Sequence, residues 1–283
     1  MAEEFISSKK KRGKLPPEPG PAKKRNYRDH LMRLRRHLLR SLTAAVLLAI
    51  LAFANQNIIF DQILLAPKSE DFFTNRVLCH IGEKYQIENL CFSAESLTII
   101  NVNMAGQFLT HLYVSLIAGI ILAFPYILFE IWTFLAFVLK IKSRRTTVAT
   151  IISGTILFVL GLLFSYFLIV PLTVNFLGTY FVSREVQNNV MLGSYIGTIA
   201  SLVLGVGVFF ELPVFVYFLA KYGIANPDWL KKQRRIMIVV LLILSAIITP
   251  PDIISQVMVC IPLLLLYEVS IVVARRVYPV PEA

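Results

Sequence analysis

Three glutamates stand inside otherwise apolar runs of this 283-residue chain: Glu130, Glu211 and Glu268. A charge at the centre of a bilayer costs about 2.5–3.5 kcal/mol on insertion scales. Such a group must face a cavity, meet a partner or carry a proton. Glu211 is expected to line a concave, water-accessible face, near an inserted peptide or a partner helix. The competing reading is a neutral, hydrogen-bonded structural group. Glu130 lies nearer the end of its run, where snorkelling to the interface competes with a functional role. Glu268 precedes Arg275 by seven residues, and pairing with Arg275 and Arg276 is expected. Thr249 and Gln256 bracket a Pro250-Pro251-Asp252 turn. The prolines end one helix, Asp252 can cap the next, and Gln256 offers an amide to a neighbouring helix.

No catalytic constellation accompanies these residues: GxSxG, HExxH, Walker A, GxGxxG and CxxC patterns are all missing from the sequence. His30, His37, His80 and His111 are scattered, without metal-ligand neighbours, and read as structural or interfacial. No enzyme, metal or cofactor is expected. Cys79 and Cys91 stand twelve positions apart in one polar segment. A disulfide closing that segment is the expectation, two buried thiols the alternative. Cys260 lies in an apolar run and reads as packing.

The elements that must position these residues follow from composition. Hydrophobic residues make up 57% of the chain and charged ones 16%, at a mean hydropathy of +0.69. A soluble domain carries about 25% charged residues. Yet the net charge is +11, from 28 Lys+Arg against 17 Asp+Glu. The two facts agree only if charge and apolar runs are segregated, as in a polytopic membrane protein. A disordered chain, a disulfide scaffold, a typical soluble enzyme and a nucleic-acid binder are excluded. Six runs predict spans: 41–60, about 109–136, 148–170, about 196–220, 236–249 and 253–274. The fold class is all-α. Pro171 is expected to close the third span, and Pro125, Pro213 and Pro262 to kink theirs. The fifth run is too short to cross a core of roughly 30 Å unaided. Ahead of the first span, Leu31, Leu34, Leu38 and Leu42 recur at helical spacing and predict an amphipathic interfacial helix. Residues 1–26 read as a disordered basic tail, 27–276 as the membrane domain and 277–283 as a short C-terminal tail.

The loops orient the whole. Residues 1–40 hold thirteen Lys/Arg, 137–146 four, 221–235 five, and Arg275 and Arg276 follow the last span. The intervening loops hold only Lys68, Arg76, Lys84 and Arg184. The positive-inside rule then predicts both termini in the cytoplasm.

Four stretches, in order, resemble the TatC family of twin-arginine translocase subunits. They are His30-Leu31-Met32-Arg33-Leu34-Arg35-Arg36-His37-Leu38-Leu39, Phe124-Pro125-Tyr126 through Phe134, Phe210-Glu211-Leu212-Pro213, and Thr249-Pro250-Pro251-Asp252-Ile253-Ile254-Ser255-Gln256. The resemblance implies a glove-shaped six-helix receptor core that exports folded proteins with the proton-motive force. It implies binding of paired-arginine signal peptides and recruitment of TatA- and TatB-type single-span partners, in a homo-oligomeric receptor complex. Thr249 and Gln256 would receive the partners' helices.

Two positions depart from the family pattern. Where family members carry glutamates that bind the signal's arginines, this chain has Arg33 and Ser143, and Phe137 replaces a proline. A guanidinium pair wants bidentate carboxylate acceptors, and like charges at contact oppose binding. The expectation is therefore a translocase core whose signal recognition is disabled or redirected, or rebuilt from Asp29 and the tail's glutamates. A recognition-dead scaffold is the alternative. A small-solute secondary transporter is a weaker one, since no inverted repeat is visible.

Overall fold

The computed structural model describes residues 27–69, 71–85, 98–138, 144–179, 189–249 and 253–279. The architecture is mostly helical, as expected. Helix α1 (Tyr27–Ala54) is followed by a π-helical segment, Ile58–Leu64, and α2 (Phe73–Tyr85). Strand β1 (Thr98–Ile100) leads into α3 (Gly106–Val138). Helix α4 (Arg144–Phe164) runs through a π-helical segment, Ser165–Ile169, into α5 (Val170–Thr179). Strand β2 (Asn189–Met191) opens α6 (Leu192–Phe209), and α7 (Leu212–Lys221), α8 (Pro227–Lys232), α9 (Arg234–Ile248) and α10 (Ile253–Val277) complete the order.

Five helical segments among the described residues are long and apolar enough to cross a membrane: Leu31–Ala54, Gly106–Val138, Thr147–Gly178, Leu192–Lys221 and Ser255–Val277. The fifth expected run forms α9, whose 15 residues rise only about 22 Å at 1.5 Å each. Two boundaries differ from the sequence reading. The basic segment before the first span is not a separate interfacial helix. With no Gly or Pro between Tyr27 and Ala54, α1 runs through it unbroken. Nor does Pro171 close the third span. A proline removes the N–H that would reach the carbonyl four residues back, here that of Phe167. The π-helical segment accommodates the misfit, and the Thr74 hydroxyl of α2 donates to that freed carbonyl. Of the three prolines expected to kink spans, only Pro213 coincides with a break, between α6 and α7. Pro125 and Pro262 lie inside helices that continue past them.

Helix α6 sits at the centre, with Ile196, Ile199, Leu202 and Val206 buried against Val170, Leu241, Leu263 and Ile271. A second cluster joins α3, α4 and α7: Phe124 stacks on Phe158 at 3.4 Å between ring centroids, and Trp132 meets Phe218 edge-on at 4.5 Å. Helices α1 and α3 pack antiparallel and very close. A Cβ built on Gly119 would lie 2.6 Å from the Ala45 carbonyl and from the Ala49 Cβ. Without a hydrophobic drive between helices in lipid, such small-residue contacts are what hold spans together.

Outside the helices, β1 and β2 pair in parallel, Thr98 with Asn189 and Ile100 with Met191. These short strands, absent from the sequence reading, tie the segment before α3 to the segment before α6. Cys79 on α2 is disulfide-bonded, Cys260 on α10 is free and buried, and Cys91 lies outside the described residues. So do residues 1–26 and 280–283, and with them the expected disordered tail. The outer faces of the spans are apolar. Leu47 is 63% exposed, Ile247 73% and Leu265 63%, a surface suited to hydrocarbon rather than water.

Candidate functional site

The antiparallel packing of α1 on α3 sets His37 beside Glu130. Glu130 is 3% exposed. His37 Nδ1 donates to its Oε2, the Tyr126 hydroxyl donates to its Oε1 at 2.7 Å, and Arg40 Nη1 stands 4.0 Å from the same oxygen. The carboxylate therefore does not snorkel. It is drawn inward by two hydrogen-bond donors, His37 on α1 and Tyr126 on α3, and by the Arg40 charge. Tyr126 and Glu130 are one helical turn apart, so they share a face. The sequence reading took His37 as structural or interfacial and missed its partner, because nothing local links positions 93 residues apart.

One turn above His37, Arg33 lies over the Phe137 ring, its Cζ 4.0 Å from the centroid. A guanidinium over an aromatic face is attracted by the ring quadrupole. Phe137 thus supplies a seat for the Arg33 guanidinium across the α1–α3 contact. Ser143, the second departure, lies outside the described residues.

Glu211 occupies the break between α6 and α7, with φ −75° and ψ −12°. Its side chain lies over Gly154 of α4. A Cβ on that glycine would fall 2.9 Å from Glu211 Oε2. Oε1 is buried and has no hydrogen-bond partner among the described residues, and neither has Trp132 Nε1. A buried carboxyl oxygen without a donor is costly.

Helices α9 and α10 hold the third set. Thr249 is buried and its hydroxyl donates to the Ser245 carbonyl at 2.9 Å. Gln256 Nε2 donates to the Leu242 carbonyl at 3.0 Å, clamping α10 to the short α9. Ser201 of α6 donates to the Ile248 carbonyl at 3.0 Å. Pro250, Pro251 and Asp252 lie outside the described residues. Glu268 pairs with Arg234 at 2.6 Å rather than with Arg275 or Arg276. Position 268 faces the start of α9 across the helix pair, while 275 lies two turns along its own helix.

The polar groups thus form three separate places, on α1–α3, at the α6–α7 break and on α9–α10, rather than one reaction centre. Comparison with known proteins gives them a common setting. The family model described as Sec-independent protein translocase protein (TatC) matches residues 29–262. The TatC of Blattabacterium sp. subsp. Periplaneta americana is 37% identical over 248 residues, covering 87% of this chain and 93% of the relative. The TatC of Escherichia coli is 29% identical over 248 residues, covering 87% and 86%. A solved structure described as the twin arginine translocase receptor TatC superposes with a TM-score of 0.71 at 30% identity, over 88% of this chain and 99% of that one. Such proteins are membrane-bound translocase components and not enzymes, in keeping with the expectation from sequence. Matched along nearly all of its helical part in sequence and in fold, this chain belongs to the TatC family of Sec-independent protein translocase proteins.

Proposed function

We propose that the chain is the core subunit of a twin-arginine translocase whose signal recognition departs from the family pattern at Arg33 and Ser143. In this reading six helices cross the inner membrane in a glove-like arrangement, with both termini cytoplasmic and α9 as a short fifth span. The alternating distribution of Lys and Arg supports that orientation. Single-span TatA- and TatB-type partners dock on α9–α10 near Thr249 and Gln256, several copies form a receptor complex, and the proton-motive force drives export of folded cargo. Glu211 serves at the concave face, where its free acceptor meets an inserted segment.

The observation that carries the altered recognition is the seating of Arg33 on Phe137. A cation held at the mouth of α1 and α3 repels the paired arginines of a signal peptide where a carboxylate would bind them. The same observation favours a second reading, a scaffold that keeps the fold and its partners but no longer selects twin-arginine signals. Export of a twin-arginine reporter in a strain lacking its own subunit separates the two. The double substitution Arg33→Glu and Ser143→Glu is expected to strengthen crosslinking to a twin-arginine signal peptide. Crosslinking unchanged by that substitution would refute the assignment of these positions.

A further inference from the structure

The outward face of α1 joins three free-standing features. Met32, Arg35, Arg36, Leu39, Arg40 and Thr43 recur at three- and four-residue steps, and so lie on one stripe. They line an open hollow of about 410 Å³. The buried residues of α1, Ser41, Ala45 and Ala52, lie on the opposite side, toward α3. The stripe therefore looks away from the bundle.

Below Thr43 the same face turns apolar. Val46, Leu47 and Ile50 are exposed by 43%, 63% and 61%, with no polar side chain to interrupt them. From Leu31 to Ala54 the helix carries no carboxylate. Among the described residues Arg35 and Arg36 have no ion-pair partner. Arg40, also largely exposed, stands 4.0 Å from Glu130. A cationic hollow at the membrane edge, continued along the bilayer depth by an apolar track, matches a molecule with an anionic head and an acyl chain.

We infer that this stripe binds one anionic phospholipid, its phosphate among Arg35, Arg36 and Arg40 and an acyl chain along Leu39, Val46, Leu47 and Ile50. An arginine fork suits phosphate better than a point charge does, because it donates two parallel hydrogen bonds. An acidic peptide would satisfy the guanidiniums but leave the apolar track empty, and the track lies at a depth where an exposed peptide backbone has no partners. The inference rests on α1 crossing the membrane and is independent of how signal peptides are recognised.

The test is native mass spectrometry of the full chain in detergent, titrated with phosphatidylglycerol or with phosphatidylcholine of the same acyl chains. One retained phosphatidylglycerol and no retained phosphatidylcholine are expected. Arg35→Gln with Arg36→Gln should weaken retention roughly thirtyfold, from about fivefold for each cation at an anionic surface. Both side chains are exposed, so the variant should keep its melting temperature. Arg275→Gln with Arg276→Gln should leave retention unchanged. Glycerol 3-phosphate and inorganic phosphate should displace the lipid poorly, since neither fills the apolar track. Equal retention in the Arg35/Arg36 variant, or equal retention of phosphatidylcholine, overturns the site. Displacement by an acidic decapeptide or by glycerol 3-phosphate at the lipid's own concentration overturns it too, and assigns the hollow to a soluble anion or peptide instead.

Discussion

Replacing His37 by leucine isolates the contact on which the α1–α3 pairing depends. The substitution removes the donor that meets Glu130 Oε2. A hydrogen bond to a charged group is worth about 1.5–3 kcal/mol. Stripping a buried ion pair of one partner altogether costs about 3–5 kcal/mol. Glu130 would keep the Tyr126 hydroxyl at 2.7 Å and Arg40 at 4.0 Å, so the larger figure is not reached. The His37 side chain is 19% exposed against 4% for Glu130, which places the loss on the inner, poorly solvated side. An unfolding free energy lower by about 2–3 kcal/mol is expected for His37→Leu. Glu130→Leu should cost less, because a histidine at the bundle edge can turn to solvent. The double variant should recover most of the loss, since an apolar pair of similar volume often replaces a buried ionic one at little cost. The assay is a double-mutant cycle by denaturant or steric-trap unfolding in detergent micelles. Additive single effects, with a coupling below about 0.5 kcal/mol, would falsify the pairing as a stabilising contact.

Further perturbations address the other contacts. Gly119→Ala should destabilise the α1–α3 pair by about 1–3 kcal/mol, because its Cβ would stand 2.6 Å from Ala45 and Ala49 atoms; an unchanged unfolding midpoint would refute the close approach. Thr74→Val should expose the carbonyl freed by Pro171 and lower stability by about 1–3 kcal/mol, measurable by the same unfolding. Glu211→Ala should lower export or crosslinking to a partner helix while leaving membrane insertion intact; export at the parental level would count against a working role for its unpaired oxygen.

Much of the helical plan was legible from local chemistry. Apolar runs of about 20 residues mark spans because the bilayer core sets their length, and each expected run coincides with a helix. Pro213 predicts a kink in the fourth span, and the break between α6 and α7 falls there. The misreadings share one cause. Pro171 reads as a terminator because its effect on its own helix is local. What rescues the helix is Thr74, on a different element. Spacing along the chain points Glu268 to the arginines of its own helix, and its partner is Arg234 on the neighbouring one. Glu130 could be recognised as exceptional, but not as the partner of a histidine 93 residues away.

Sequence by itself therefore determined the class of the protein: apolar runs, charge-bearing loops and four ordered motifs, each a property of adjacent residues in a solvent of known thickness. Tertiary structure decided which polar groups meet. It set His37, Tyr126 and Arg40 around Glu130, left Glu211 Oε1 without a donor among the described residues, laid Arg33 on Phe137, and turned Arg35 and Arg36 outward. Those outcomes depend on the rotation and register of packed helices. In a membrane these are fixed by close contacts such as Gly119 against Ala45, which no periodicity within one helix encodes.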